Sequence, residues 1–99
     1  MNINVEFYFL VCKDVLVKTQ YDGQSIDWKL GNCQNDQQYG SYREYIQRCC
    51  LTPGKQTLTC INNEKPEGWK NGRIKFQGVD YGHDFMSFKA FRQIIVQGR

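Results

Sequence analysis

Polarity alternates along much of this chain. Residues 3 to 11 place Ile3, Val5, Phe7, Phe9 and Val11 on one face and Asn4, Glu6 and Tyr8 on the other, which is the period-two pattern of a half-buried strand. Cys12-Lys13-Asp14 breaks this pattern, and Val15, Val17, Thr19 and Tyr21 begin a second alternation. Asp22-Gly23, a dipeptide suited to a tight hairpin, ends it. A third strand then carries Ile26, Trp28 and Leu30 on one side and Ser25, Asp27 and Lys29 on the other.

Residues 31 to 40 are polar, rich in Asn, Gln and Asp and without apolar period, so they read as an exposed loop tethered by Cys33. For residues 42 to 51 an extended strand is favoured over a short helix, because Tyr42 and Ile46 lead into Cys-Cys-Leu-Thr-Pro-Gly. Pro53-Gly54 is a turn, and residues 56 to 61 alternate again with Leu58 and Cys60 on one face. A long loop over residues 62 to 72 closes with Asn71-Gly72, the strongest short-range hairpin signal in the chain. Arg73 to Phe76 reads as strand with Ile74 and Phe76 inward, and residues 78 to 82 as a turn or a brief pairing. Residues 85 to 91 are ambiguous, and residues 93 to 97 form a last strand. Seven or eight short strands at regular spacing predict an all-β fold, a small antiparallel β-sandwich of two packed sheets.

Composition sharpens this picture. Ninety-nine residues support one core, hence a single domain over residues 1 to 99, and 40% hydrophobic with 14% aromatic content supplies it. Ala90 is the sole alanine, so the best helix former is nearly absent. The net charge of +3 falls far short of the dense basic stripe that nucleic acid requires. Charge is uneven, however: residues 55 to 99 hold eight Lys/Arg against four Asp/Glu, which reads as a solvated face or as attraction to an acidic glycan or surface. The apolar run from Phe7 to Val11 is too short to span a bilayer and lacks the flanks of a signal peptide, so it reads as strand. Membrane insertion is not expected, and export would imply a leader already removed.

Five cysteines, Cys12, Cys33, Cys49, Cys50 and Cys60, point to disulfides, an oxidising compartment and one thiol left over. No C-x-x-C occurs and His83 is distant in sequence from every cysteine, so no metal site is expected from sulfur ligands. Neighbouring side chains in a strand point to opposite faces. Cys49 and Cys50 therefore suit two separate bridges, one into the interior and one outward to a loop. Cys33 precedes Cys49 by 16 residues, and closing such a loop is worth about 3 kcal/mol in the chain-entropy picture, so Cys33 is the preferred partner for one of the pair.

The string Trp28-x-Leu30-Gly31-x-Cys33, Tyr45, Cys49-Cys50-Leu51-x-Pro53-Gly54, Leu58-Thr59-Cys60, Gly68-Trp69, Ile74, Gly78 and Tyr81-x-x-Asp84-Phe85 resembles a family of small secreted, cysteine-stapled β-sandwich modules found in extracellular surface and matrix proteins. In that family a Cys-Cys-Leu-x-Pro-Gly turn leads into a Leu-x-Cys strand, a Gly-Asp-Gly-Trp loop and a Tyr-Cys-x-Asp-Phe ending. The similarity covers about residues 12 to 96, and its most specific part is the Cys-Cys turn with the cysteine that follows. It implies a secreted β-sandwich module, often repeated within larger surface or matrix proteins, with no established catalytic role. Two departures stand out. Gly82 occupies the place of the pattern's cysteine, which leaves one of the five, with Cys60 as the candidate, unpaired; and Pro66-Glu67-Gly68 replaces Gly-Asp-Gly, which weakens a calcium loop.

Binding candidates lie in the loops. Trp69, Tyr39 and Tyr42 sit in or near polar segments and could serve a glycan as aromatic platforms, Trp69 being equally suited to the core. Glu67, Asp80 and Asp84, with Glu64, offer the hard oxygens a calcium ion takes, although turn capping and solvation are the plainer roles; no cofactor is otherwise expected. His83 has no evident nucleophile partner, so an enzyme is not expected. The leading expectation is an extracellular structural or adhesion protein that binds protein partners or itself through sheet edges and loops. The alternatives are a lectin-like glycan binder, with or without calcium, and a secreted effector or inhibitor.

Overall fold

The computed structural model describes residues 9–98. Among these residues eight strands form two four-stranded sheets: β1 (Val11–Lys18), β2 (Ile26–Leu30), β3 (Cys33–Gln34), β4 (Glu44–Leu51), β5 (Gly54–Asn62), β6 (Arg73–Phe76), β7 (Val79–Tyr81) and β8 (Lys89–Val96). One sheet has the order β4-β1-β6-β7 and the other β3-β2-β5-β8, with every pairing antiparallel. The fold is the all-β sandwich that the alternation predicts.

The inner faces supply the core. Val15, Val17, Cys49, Leu51, Ile74 and Phe76 face inward from the first sheet, and Ile26, Trp28, Leu30, Leu58, Cys60, Ile94 and Val96 from the second. Loops close the ends with Tyr39, Trp69 and Phe85. The buried polar residues Thr19, Ser25 and Asn62 are hydrogen-bonded, as burial demands, whereas Arg73 Nε and Asp80 Oδ1, both buried, have no hydrogen-bond partner among the described residues. Thr19 Oγ1 donates to the Gly40 carbonyl at 2.6 Å and accepts from the Arg43 amide at 2.9 Å. Asn62 donates from Nδ2 to the Gly68 carbonyl and accepts the Glu64 and Lys65 amides on Oδ1. These two side chains hold the loops that the apolar pattern leaves unspecified.

Both bridges involving the vicinal cysteines form. Cys49 bonds Cys33 across the two sheets, as the spacing favours. Cys50 points outward and bonds Cys12, directly opposite it in the β1–β4 register, with a Cα–Cα distance of 3.9 Å. The outward bridge thus joins two strands of one sheet rather than a strand and a loop. Cys60 is the free thiol and is buried.

Several sequence expectations change. The strand over residues 3 to 11 lies outside the described residues up to Tyr8, and Phe9 is exposed. Cys12-Lys13-Asp14 does not break a strand: β1 runs through it because eight consecutive residues pair with β4. Neither Asp22-Gly23 nor Asn71-Gly72 makes a hairpin. Asp22 and Asn71 adopt positive φ of 67° and 72° as turn residues do, but the chain there crosses from one sheet to the other. The two sequence-adjacent hairpins turn instead at Gly31-Asn32 and Gln77-Gly78. A turn dipeptide sets local dihedrals and leaves open which strands pair on either side.

Candidate binding surfaces

The predicted site residues do not converge. Tyr39 is buried, 3% exposed, and its hydroxyl accepts the Trp28 indole N–H at 2.8 Å. Burial pushes the Tyr39 phenol up to about 12, only partly opposed by that bond. Trp69 is 1% exposed, meets Phe85 edge-on at 5.4 Å and donates its indole N–H to the Ile61 carbonyl at 2.8 Å. Both rings are core groups with satisfied polar tips and cannot act as exposed platforms. Tyr42 is 69% exposed and stands apart from them, at positive φ.

The acidic candidates also go separate ways. Glu67 pairs with Lys70 at 3.0 Å, and that hydrogen bond holds its carboxyl below the usual carboxylate range. Asp80 faces Arg73 at 3.7 Å on the outer face of the first sheet, and Asp84 faces Arg92 at 3.4 Å beside β8. Each carboxylate has its own cation, so these oxygens do not gather around a shared point as calcium requires. Among the described residues no cluster of three or more His, Cys, Asp or Glu is arranged to hold a metal ion. His83 lines a hollow of about 440 Å³ with Glu67, Lys70, Asn71, Phe85 and Met86. The Cys60 thiol is pushed up to about 12, chiefly by burial, which keeps it protonated and unreactive at neutral pH.

The two outer faces differ in kind. On the first sheet the register lays charges in complementary rungs: Arg48 with Asp14 at 3.4 Å, Glu44 opposite Lys18, and Asp80 beside both Arg73 and Lys75. Ile46 and Leu16 form an apolar pair between them, in a shallow groove of about 410 Å³. The second sheet carries Lys29, Lys55 and Lys89 among Thr57, Thr59, Ile61, Phe91, Gln93 and Ile95. Its single outward carboxylate among the described residues, Asp27, is engaged by the Trp28 amide and the Asn35 side chain.

The β8 edge completes the geometry. The Asn62 amide bonds the Phe88 carbonyl, so the even residues of β8 pair with β5 and the odd ones turn their N–H and C=O groups to the open side. Three side chains plug parts of that side. Ser87 donates from Oγ to the Lys89 carbonyl at 2.8 Å. Arg92 donates to the Phe91 carbonyl at 3.1 Å, while Gln77 donates to the Ile95 carbonyl at 2.8 Å and accepts the Gln97 amide at 2.7 Å. The N–H groups of Phe91, Gln93 and Ile95 and the carbonyl of Gln93 have no partner among the described residues. Phe91 and Ile95 are 60% and 55% exposed beside this window.

Sequence reading places Gln93 and Ile95 in the last strand but leaves Phe91 in the ambiguous stretch of residues 85 to 91, and it names none of the three as a binding candidate. The alternation Lys89, Phe91, Gln93, Ile95 is nonetheless present in the chain. A fourth feature is a hollow of about 460 Å³ lined by amides and carboxylates, Gln24, Asp27, Asn35, Asp36, Gln37 and Asn63 among them.

Among the described residues no helix is long and apolar enough to cross a membrane. Compared with family models, with curated proteins and with solved structures, the chain matches none.

Proposed function

We propose that this protein is a non-enzymatic extracellular module that acts by contact and self-associates through the edge of β8. The observation that carries the reading is the unpaired window centred on Gln93. Unpaired strand edges invite strand addition. Placing a second β8 antiparallel about a two-fold axis at Gln93 lets the two Gln93 residues exchange both backbone bonds. Phe91 of each copy then lies opposite Ile95 of the other, because both stand two positions from the centre. The exposed apolar side chains and the open backbone groups are matched by one register. The Arg92 and Gln77 plugs restrict the contact to this short window, so the association is weak and reversible. Export is supported by the two disulfides and by the similarity to small secreted cysteine-stapled modules.

Sedimentation velocity over a range of concentrations tests it. The Gln93 N–H faces away from β5, so Gln93→Pro removes an edge donor and keeps the β5–β8 ladder. Wild type is expected to dimerise with rising concentration, Gln93→Pro to remain monomeric and Gln77→Ala to dimerise more readily. A wild type that stays monomeric at millimolar concentration overturns the proposal.

A second reading, a lectin-like binder, rests on the amide-lined hollow between residues 24–27 and 35–39. A glycan array with and without chelator tests it, and silence in both arms removes it.

A further inference from the structure

We infer that the outer face of the β2-β5-β8 part of the second sheet is a docking surface for an extended sulfated polysaccharide. The inference rests on the face of the sheet and is independent of pairing at its edge.

Charge distribution carries the argument. Every cation on the outer face of the first sheet stands beside a carboxylate, as the Arg48–Asp14, Lys18–Glu44, Arg73–Asp80 and Lys75–Asp80 neighbours show. On the second sheet Lys29, Lys55 and Lys89 are all exposed, and none makes an ion pair among the described residues. The one carboxylate of that face among the described residues, Asp27, is held by two neutral donors and offsets only one of the three charges. The first face thus sets four cations against three carboxylates, each cation beside one of them, whereas the second sets three cations against one carboxylate and holds no ion pair among the described residues. An uncompensated positive field attracts polyanions and falls off within the Debye length of about 8 Å at physiological salt.

Geometry narrows the class of partner. Lys29 stands opposite Thr59 and Lys89 opposite Ile61, while Lys55 lies four residues from Thr59 along β5. With strands about 4.8 Å apart and a rise of about 3.4 Å per residue, Lys29 lies roughly 12 Å from Lys89 and roughly 14 Å from Lys55. Charges spread this widely over a flat face suit a long chain with spaced anionic groups rather than one phosphate or one carboxylate. Between them Thr57 and Thr59 offer hydroxyls, Gln93 an amide and Phe91 an exposed ring, groups that meet the hydroxyls and apolar faces of sugars. Nucleic acid is the less suited polyanion. Single strands are held on successive stacking aromatics in a basic groove, and this face is flat with one aromatic ring, Phe91.

The test uses the whole chain and a fluorescent heparin-derived dodecasaccharide, with anisotropy read at low and physiological salt. Two triple variants remove the same net charge: Lys29→Gln/Lys55→Gln/Lys89→Gln on the second sheet, and Lys18→Gln/Arg48→Gln/Lys75→Gln on the first. Wild type is expected to bind the sulfated probe and to release it as salt rises. The second-sheet triple is expected to lose about tenfold or more in affinity, and the first-sheet triple less than about threefold. Circular dichroism and a count of two disulfides establish that each variant is folded, and the single variant Lys89→Glu, expected to weaken binding alone, replaces a triple that is not. Equal losses in the two triples, equal binding of the desulfated probe, equal binding of single-stranded DNA of the same charge, or no binding by wild type would each overturn the inference.

Discussion

Replacing Gly82 with alanine probes the packing that closes one end of the core. Gly82 has φ of +85°, and a Cβ placed on it would lie 2.2 Å and 2.5 Å from Cζ3 and Cε3 of the Trp69 ring. Carbon atoms in contact sit about 3.5–4.0 Å apart, so the ring or the loop must give by more than about 1 Å. The ring has little freedom to move, since it is 1% exposed, braced against Phe85 and tied to the Ile61 carbonyl at 2.8 Å. Overpacking a tight core costs about 1–3 kcal/mol. A side chain at positive φ adds about 1–2 kcal/mol, and loosening the buried indole bond about 1 kcal/mol. The sum, about 3–6 kcal/mol, is a large part of the 5–15 kcal/mol by which domains are typically stable.

Urea unfolding followed by tryptophan fluorescence reads this directly. With a slope of about 1–3 kcal/mol/M, the Gly82→Ala midpoint is expected to fall by at least about 1 M. Gly82→Cys stands where the resembled pattern carries its cysteine and meets the same ring. It is expected to be destabilised likewise and to leave two alkylatable thiols by mass rather than a third disulfide. An unchanged Gly82→Ala midpoint, or a third bridge in Gly82→Cys, would refute the packing argument.

Further predictions concern the bridges and the buried protons. Cys12→Ala/Cys50→Ala opens a loop of 38 residues and Cys33→Ala/Cys49→Ala one of 16. The entropic losses are about 4 and about 3 kcal/mol. Cys49 is 1% exposed, so its removal also leaves a cavity, and the second variant is expected to be the less stable in urea despite its shorter loop. Alkali should destabilise the fold, because burial raises both the Cys60 thiol and the Tyr39 phenol to about 12. The unfolded chain releases these protons from about pH 8.5 and about pH 10, while the folded chain retains them. Stability is therefore full below about pH 8.5 and declines towards pH 12, at a slope approaching 1.4 kcal/mol per pH unit for each group. Urea midpoints between pH 7.5 and 11 measure the decline. Cys60→Ala is expected to flatten its lower part, and an identical profile for that variant would count against the role of the thiol.

Alternation by itself determined much of this protein. The inward sets Ile26-Trp28-Leu30, Leu58-Cys60 and Ile74-Phe76 were legible in the chain, because which side of a strand is apolar is a local property of that strand. A bridge from Cys33 to one of the vicinal cysteines was legible too, since adjacent cysteines in a strand must look opposite ways and a short loop closes readily, but only the structure decided that the partner is Cys49. Tertiary structure alone decided which strands pair. Asp22-Gly23 and Asn71-Gly72 look like hairpins yet carry the chain between sheets, because burying two apolar faces against each other outweighs the pairing of sequence neighbours. Tyr39 and Trp69 sit in polar segments, and only the partners brought to them, Trp28 and the Ile61 carbonyl, make burial of their polar tips affordable. The contrast between a face whose cations each stand beside a carboxylate and one whose lysines do not is likewise invisible along the chain. It arises from cross-strand neighbours far apart in sequence, which only the register brings side by side.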